Sequence, residues 1–113
     1  MGEVALFPTR AAAIQTVFNR AELTRILDLY GRMVAAGHWR DYAIIMERDV
    51  AAFSAFRRAA ERPEIRIEKR PALAQRQGVW ALIGEAGAVL KRGHELGPVL
   101  APVERRLMKL VAG

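Results

Sequence analysis

The hydrophobic period of this chain changes at Gly37, and that change constrains the fold more than any other feature. Before it, Leu23, Ile26, Leu27, Tyr30, Met33 and Val34 recur at helical spacing and draw one apolar face. After it, Tyr42, Ile44 and Met46 alternate with Asp41, Ala43 and Ile45, the two-residue period of a strand. A helix that passes into strands within 113 residues leaves room for one domain around one core.

The helix marks its own beginning. In the run from Phe18 to Leu23, the Asn19 side chain can accept from free amides of the first turn, and Glu22 can answer the Asn19 N–H. Phe18 and Leu23 occupy the apolar staple positions, and Gly37 supplies a stop after Ala35 and Ala36. Arg20, Arg25, Asp28 and Arg32 mostly occupy the remaining surface. Gly31 inside the helix costs about 1 kcal/mol relative to alanine.

Past Glu47-Arg48-Asp49 the signals conflict. Alanine content, a capping Asp49, and Val50, Phe53 and Phe56 at three-residue spacing favour a helix over residues 50–61. The alternation of Phe53, Ala55 and Arg57 with Ser54, Phe56 and Arg58 instead fits a hairpin onto residues 40–46. Downstream, Ile65 and Ile67 face one way and Arg66, Glu68 and Arg70 the other, a half-buried strand closed by Pro71. Val79–Ile83 and Ala88–Lys91 form a second hairpin across Gly84-Glu85-Ala86-Gly87. With Glu85 and Ala86 as turn residues, Leu82 opposes Val89 and Trp80 opposes Lys91. Leu96, Leu100, Val103, Leu107 and Leu110 give a second helical stripe, with Arg105, Arg106 and Lys109 outside it. Pro102 in a helix interior is costly, so a short turn followed by a regular helix from about Pro102 is expected, with Glu104 near its positive end.

Several chemistries lack their materials. There is no cysteine, which removes disulfides, thiolate catalysis and zinc–thiolate sites. The two histidines, His38 and His94, each follow a glycine in a turn, and structural or exposed roles fit both. His94 with Glu95 is the one acid–base candidate, and neighbouring residues in a chain commonly point apart. No ligand spacing suggests a metal, no cofactor motif is present, and Gly84–Gly87 reads as a turn rather than a phosphate loop. No run reaches membrane-spanning length, and Arg10 interrupts the apolar start.

Charge is more informative. The sequence is +6 overall, yet residues 57–76 hold Arg57, Arg58, Arg62, Arg66, Lys69, Arg70 and Arg76 against only Glu61, Glu64 and Glu68. Arg57, Arg58, Arg66, Lys69, Arg70 and Arg76 are therefore the candidate anion- or partner-binding residues. Arg58, Arg66 and Arg70 are expected on one solvent face with Arg76 at its rim, and Arg57 and Lys69 need separate placement because strand neighbours alternate sides. The competing reading is an ordinary charged face paired internally with the three glutamates. Phe53, Phe56 and Trp80 suit the core better than a base-stacking platform.

The segments LYGRMVAAG (29–37), WRDY (39–42), AFSAFRR (52–58), RIEKRP (66–71), RQG (76–78) and LKRGHEL (90–96) together resemble domain-of-unknown-function family 2794. The resemblance runs from about Phe18 to Leu107, and its members are small, mainly alphaproteobacterial proteins. It implies a bacterial, cytoplasmic setting and carries no catalytic residues over. Similar proteins often have valine where Ala55 stands, which implies a strand over 51–58; Pro98 and Pro102 depart from the family's smoother terminal helix.

The resulting expectation is an α+β fold: an N-terminal helix, an antiparallel meander of about five strands, and a C-terminal helix, with both helices on one sheet face. A third helix over residues 50–61 on a smaller sheet is the alternative. Residues 1–17 are read as a flexible leader and 18–111 as a single domain, with a docked segment around Leu6 and Phe7 as the other reading of the leader. The function expected is that of a small cytoplasmic binding or adaptor protein without a membrane role, whose basic surface takes an acidic protein or nucleic acid; the sequence leaves the oligomeric state open, with a monomer favoured. A hydrolase or transferase using His94 and a nearby acid is the alternative from a different class. Trp80 is expected to be buried. Asn19→Ala should lower stability by about 0.5–2 kcal/mol in denaturant unfolding, because the first-turn amides lose their cap; an unchanged midpoint would place the helix start elsewhere.

Overall fold

The computed structural model describes residues 15–58 and 61–112. Helix α1 (Arg20–Ala35) begins at the expected capping box: Asn19 Oδ1 accepts the Glu22 N–H at 2.8 Å, and Glu22 Oε1 accepts the Asn19 N–H at 2.9 Å. Ile26, Leu29 and Met33 are its buried residues, so the stripe is centred on Leu29 and leaves Val34 40% exposed. Gly37 turns the chain at a φ of +78°, where a glycine carries no Cβ penalty.

Five antiparallel strands follow in sequence order: β1 (Asp41–Met46), β2 (Ala51–Phe56), β3 (Ile65–Lys69), β4 (Trp80–Gly84) and β5 (Val89–Gly93). Helix α2 (Leu96–Ala112) closes the described fold. The architecture is the α+β meander expected from the sequence. Phe53, Ile65, Ile67, Trp80 and Leu82 form one core with Ile26, Leu29 and Met33 of α1 and Val99, Leu100, Val103 and Leu107 of α2. Both helices therefore cover the same face of the sheet.

Residues 51–56 are a strand, with Ile44 opposite Phe53 and Phe53 opposite Ile67. Local helix propensity loses here because β2 lies between β1 and β3 and is buried on both faces. Phe53 is stacked on Tyr42, with centroids 5.3 Å apart, and meets Tyr30 edge-on at 5.9 Å. The strand ends at Phe56, two residues short of the expected end, and Arg57 and Arg58 lie beyond it.

Two sequence expectations are corrected. In the β4–β5 hairpin Leu82 opposes Lys91 and Trp80 opposes Gly93, while Ile83 opposes Val89. The turn is wider than two residues: the Gly84 N–H donates to the Ala88 carbonyl, and the Gly87 N–H donates to the Gly84 carbonyl. Leu90 is left as the extra residue of a bulge, which shifts the register beyond it. The cation opposite Trp80 is Lys69 of β3, not Lys91. The second correction concerns α2, which runs unbroken from Leu96 through Pro102. Pro102 lacks the amide that would bond the Pro98 carbonyl, and Pro98 is exposed, so water can satisfy that acceptor. Glu104 consequently lies well inside the helix, 3.6 Å from Arg25 of α1.

Trp80 is buried as expected, and so is Trp39. Most of the leader expected over residues 1–17 lies outside the described residues. Within its last part, Thr16 donates its N–H to the Glu47 carbonyl and its hydroxyl to that of Arg48, at the β1–β2 turn.

Two glycines separate backbone strain from packing. Gly37 and Gly78 both have positive φ, but a Cβ at Gly37 meets open space, whereas at Gly78 it would lie 2.4 Å from the Gly93 backbone. Gly37→Ala should cost about 1 kcal/mol, and Gly78→Ala more than about 3 kcal/mol because the β5 backbone must move. Equal unfolding midpoints for the two variants would contradict this packing.

Candidate interaction surface

The register places the outer face of the sheet in rows. Ile45, Ala52, Glu68, Ala81 and Arg92 align across the five strands, and Ala43, Ser54, Arg66, Ile83 and Val89 form the next row. Among the described residues, no helix or strand covers this face. Its central residues are themselves buried, Ala52 and Ala81 at 1% exposure and Ser54 and Glu68 at 8%, so the accessible part of this face is the surrounding Ile45, Arg66, Arg70, Ile83, Val89 and Arg92.

Charge runs down the middle on β3. Arg66 Nε donates to Glu68 Oε2 at 2.8 Å, and just past the strand Arg70 Nε donates to Glu68 Oε1 at 3.1 Å. Each guanidinium thus engages one carboxylate oxygen through Nε. Burial pushes the Glu68 carboxyl up, but hydrogen bonds from Arg70 and Arg66, with their charges, more than offset this and hold it below the usual range. Two arginines share one acid, so this part of the face is cationic, and Arg92 adds to it from β5.

The other expected site residues are dispersed. Lys69 points to the helix face, donating to Glu22 Oε1 at 2.7 Å and to the Val17 carbonyl at 2.8 Å, with Nζ 5.8 Å from the Trp80 ring centre. It fastens the capping box to β3. Arg57 lies 3.0 Å from Glu85 and 3.5 Å from Glu64. Arg58 lies two residues beyond the end of β2, 3.6 Å from Glu61, and does not join the Glu68 pairing of Arg66 and Arg70. Arg76 is exposed in the connection after the short 3₁₀ turn Pro71–Leu73.

The sequence reading missed a second polar centre. Glu64, just before β3, is buried, and its Oε1 accepts the Trp39 indole N–H at 2.5 Å. Its Oε2 accepts from Arg106 of α2 at 2.6 Å and lies 3.1 Å from His38 Nε2. Arg106 also contacts His38 Nε2. One ring nitrogen cannot accept from Arg106 and donate to Glu64 together. The neutral ring with its proton on Nδ1 satisfies all three groups, Arg106 donating to both neighbours. Burial lowers the His38 pKa; Glu64 raises it, while Arg106 and Arg57 lower it further, leaving it below the ordinary value. The only hint in the sequence was Trp39, since a buried indole N–H needs an acceptor.

His94 and Glu95 are both exposed. The two described cavities are lined by Arg32, Ala35, Ala36, Leu107, Met108 and Val111, and by Val34, Gly37, Trp39 and Arg40. Neither includes His94. Among the described residues, no cluster of three His, Asp or Glu side chains is placed to hold a metal ion, and no helix is long and apolar enough to cross a membrane.

Fold and surface together define an α+β domain with one sheet face covered by both helices and the other bearing arginines. The model of a family described as a protein of unknown function, DUF2794, matches residues 16–100, and the chain belongs to that family. No curated protein and no solved structure matches the chain.

Glu64→Gln should cost about 3 kcal/mol or more, because buried N–H and cationic partners lose their carboxylate. His38 makes part of the stability pH-dependent. Its folded pKa is depressed, so its contribution is complete above the unfolded value of about 6.5 and is lost as pH falls from there through the folded pKa. Chemical denaturation of the wild type and His38→Asn at pH 7.5 and pH 5 should show the wild type losing more on acidification; parallel losses would exclude this coupling.

Proposed function

We propose that this protein is a binding or adaptor domain of the bacterial cytoplasm that takes an acidic protein surface on the open face of its sheet. The supporting observation is the Arg66–Glu68–Arg70 arrangement, two cations around one acid, flanked by Arg92 and by apolar Ile45, Ile83 and Val89. A mixed apolar and cationic patch suits a protein interface, where arginine is enriched and bidentate contact to carboxylates adds specificity. Among the described residues, Phe56 is the one aromatic residue on this face and is half-buried, so bases find little to stack on, which favours protein over single-stranded nucleic acid. Pairing with a second copy is disfavoured because a two-fold contact across β3 sets arginines against arginines. The hydrolase or transferase alternative at His94 draws less support, since both His94 and Glu95 are exposed and His94 lines neither described cavity.

Arg70→Gln combined with Arg92→Gln keeps the Arg66–Glu68 pair and should cost about 1 kcal/mol of stability or less. Titrated with a polyglutamate peptide, the double variant should bind at least about tenfold more weakly than the wild type, with a smaller salt dependence. Equal binding by both proteins would reject the reading. Preferential binding of single-stranded RNA over polyglutamate, lost in the same variant, would transfer the surface to nucleic acid.

A further inference from the structure

A second surface lies on the opposite side of the molecule, between the ends of the two helices. Arg32 and Ala35 of α1, Ala36 at its C-cap, and Leu107, Met108 and Val111 of α2 line a cleft of about 320 Å³. The cleft exists because α1 and its C-cap offer two alanines where α2 offers large side chains. Further along the same helix pair the gap is closed by Arg25 reaching Glu104. Met108 is 67% exposed and Val111 68%, and Leu110 beside them is 43% exposed. Met108 and Val111, three residues apart and on one side of α2, are thus two large apolar side chains left in water on the wall of a concavity. Isolated exposed apolar residues need no explanation, but a cluster on a groove marks an interaction site.

The sign of the surrounding charge selects the partner. Residues 105–112 contain Arg105, Arg106 and Lys109 and no acid. Arg106 is engaged by Glu64, whereas Arg105 and Lys109 are exposed, and Arg105 is one turn from Met108 on the helix. Arg32 adds a guanidinium on the opposite wall, 3.3 Å from Asp28 in a pair more than half exposed on both sides, a contact readily exchanged for another carboxylate. A second copy of this chain would bring the same cations to the same place. A flat lipid surface would leave the concavity unfilled. A helix whose apolar side chains enter the cleft and whose glutamates reach Arg32, Arg105 and Lys109 satisfies both the shape and the charge. The walls are each about five residues long, roughly 7 Å, enough for two anchors one turn apart.

We propose that the α1–α2 cleft is a docking groove for an acidic amphipathic helix of a partner protein, separate from the open sheet face. The probe is a synthetic helical peptide with leucines at i and i+4 and glutamates on its flanks, titrated into the isotope-labelled full chain and followed by NMR. Shifts should concentrate at Arg32, Ala36, Leu107, Met108 and Val111. Ala35→Trp fills the cleft from an exposed position and should weaken binding at least tenfold while leaving the remaining spectrum folded. Met108→Glu should weaken it similarly by opposing the peptide's charge. Four results would overturn the proposal: no shifts at millimolar peptide; shifts confined to the open sheet face; equal affinity for a peptide with lysines in place of glutamates; or binding undiminished in Ala35→Trp. Vesicles of phosphatidylglycerol that perturb these residues while the peptide does not would assign the surface to a membrane instead.

Discussion

The Glu64 carboxylate ties together parts of the chain that no strand ladder joins. It receives Trp39 from the loop after α1, Arg106 from α2, and the outer approach of Arg57 from the end of β2. Strand pairing fixes the five strands relative to one another, but the helices lie on the sheet through apolar contacts, which are not directional. A buried acid with several donors supplies the direction that apolar burial lacks. At the other end of β3, Lys69 does the same for the start of α1, since Glu22 Oε1 accepts from both Asn19 and Lys69. One strand thus anchors both helices through charges at its two ends.

This arrangement explains why a cation-rich segment does not yield a single cationic surface. Strand alternation sends Lys69 inward to the helix side while Arg66 and Arg70 stay on the open side. Arg57 and Arg58 fall beyond the strand and take acids of their own. The cationic surface on the side away from the helices is narrower than the run of basic residues suggests, and it is shaped by Glu68, whose two oxygens hold two guanidinium groups side by side. Arg57, Arg58, Arg66 and Arg70 all pair with glutamates of the same segment, but only Glu68 is shared by two of them.

The helix beginning, the period change at Gly37 and the alternation around Ile65 and Ile67 were readable because each depends on residues close in the chain. The strand at 51–56 was not readable from propensity, since Ala51, Ala52 and Ala55 favour a helix until neighbours on both sides bury them. Resemblance to the family, not local physics, indicated the extended form. The register of the β4–β5 hairpin failed for a related reason: four residues with glycine at both ends can close as a two-residue turn or a wider one, and the bulge at Leu90 decides.

The sequence alone determined the α+β class, the two amphipathic helices, the capping box and the segment in which positive charge accumulates, because periodicity, capping and composition are properties of neighbouring residues. Only the tertiary structure decided which cations are spent inside and which face outward. It also decided that Glu64, separated by 25 residues from Trp39 and 42 from Arg106, would meet both. Contacts over such distances depend on how helices settle on a sheet, and no local pattern encodes the partner of a buried carboxylate.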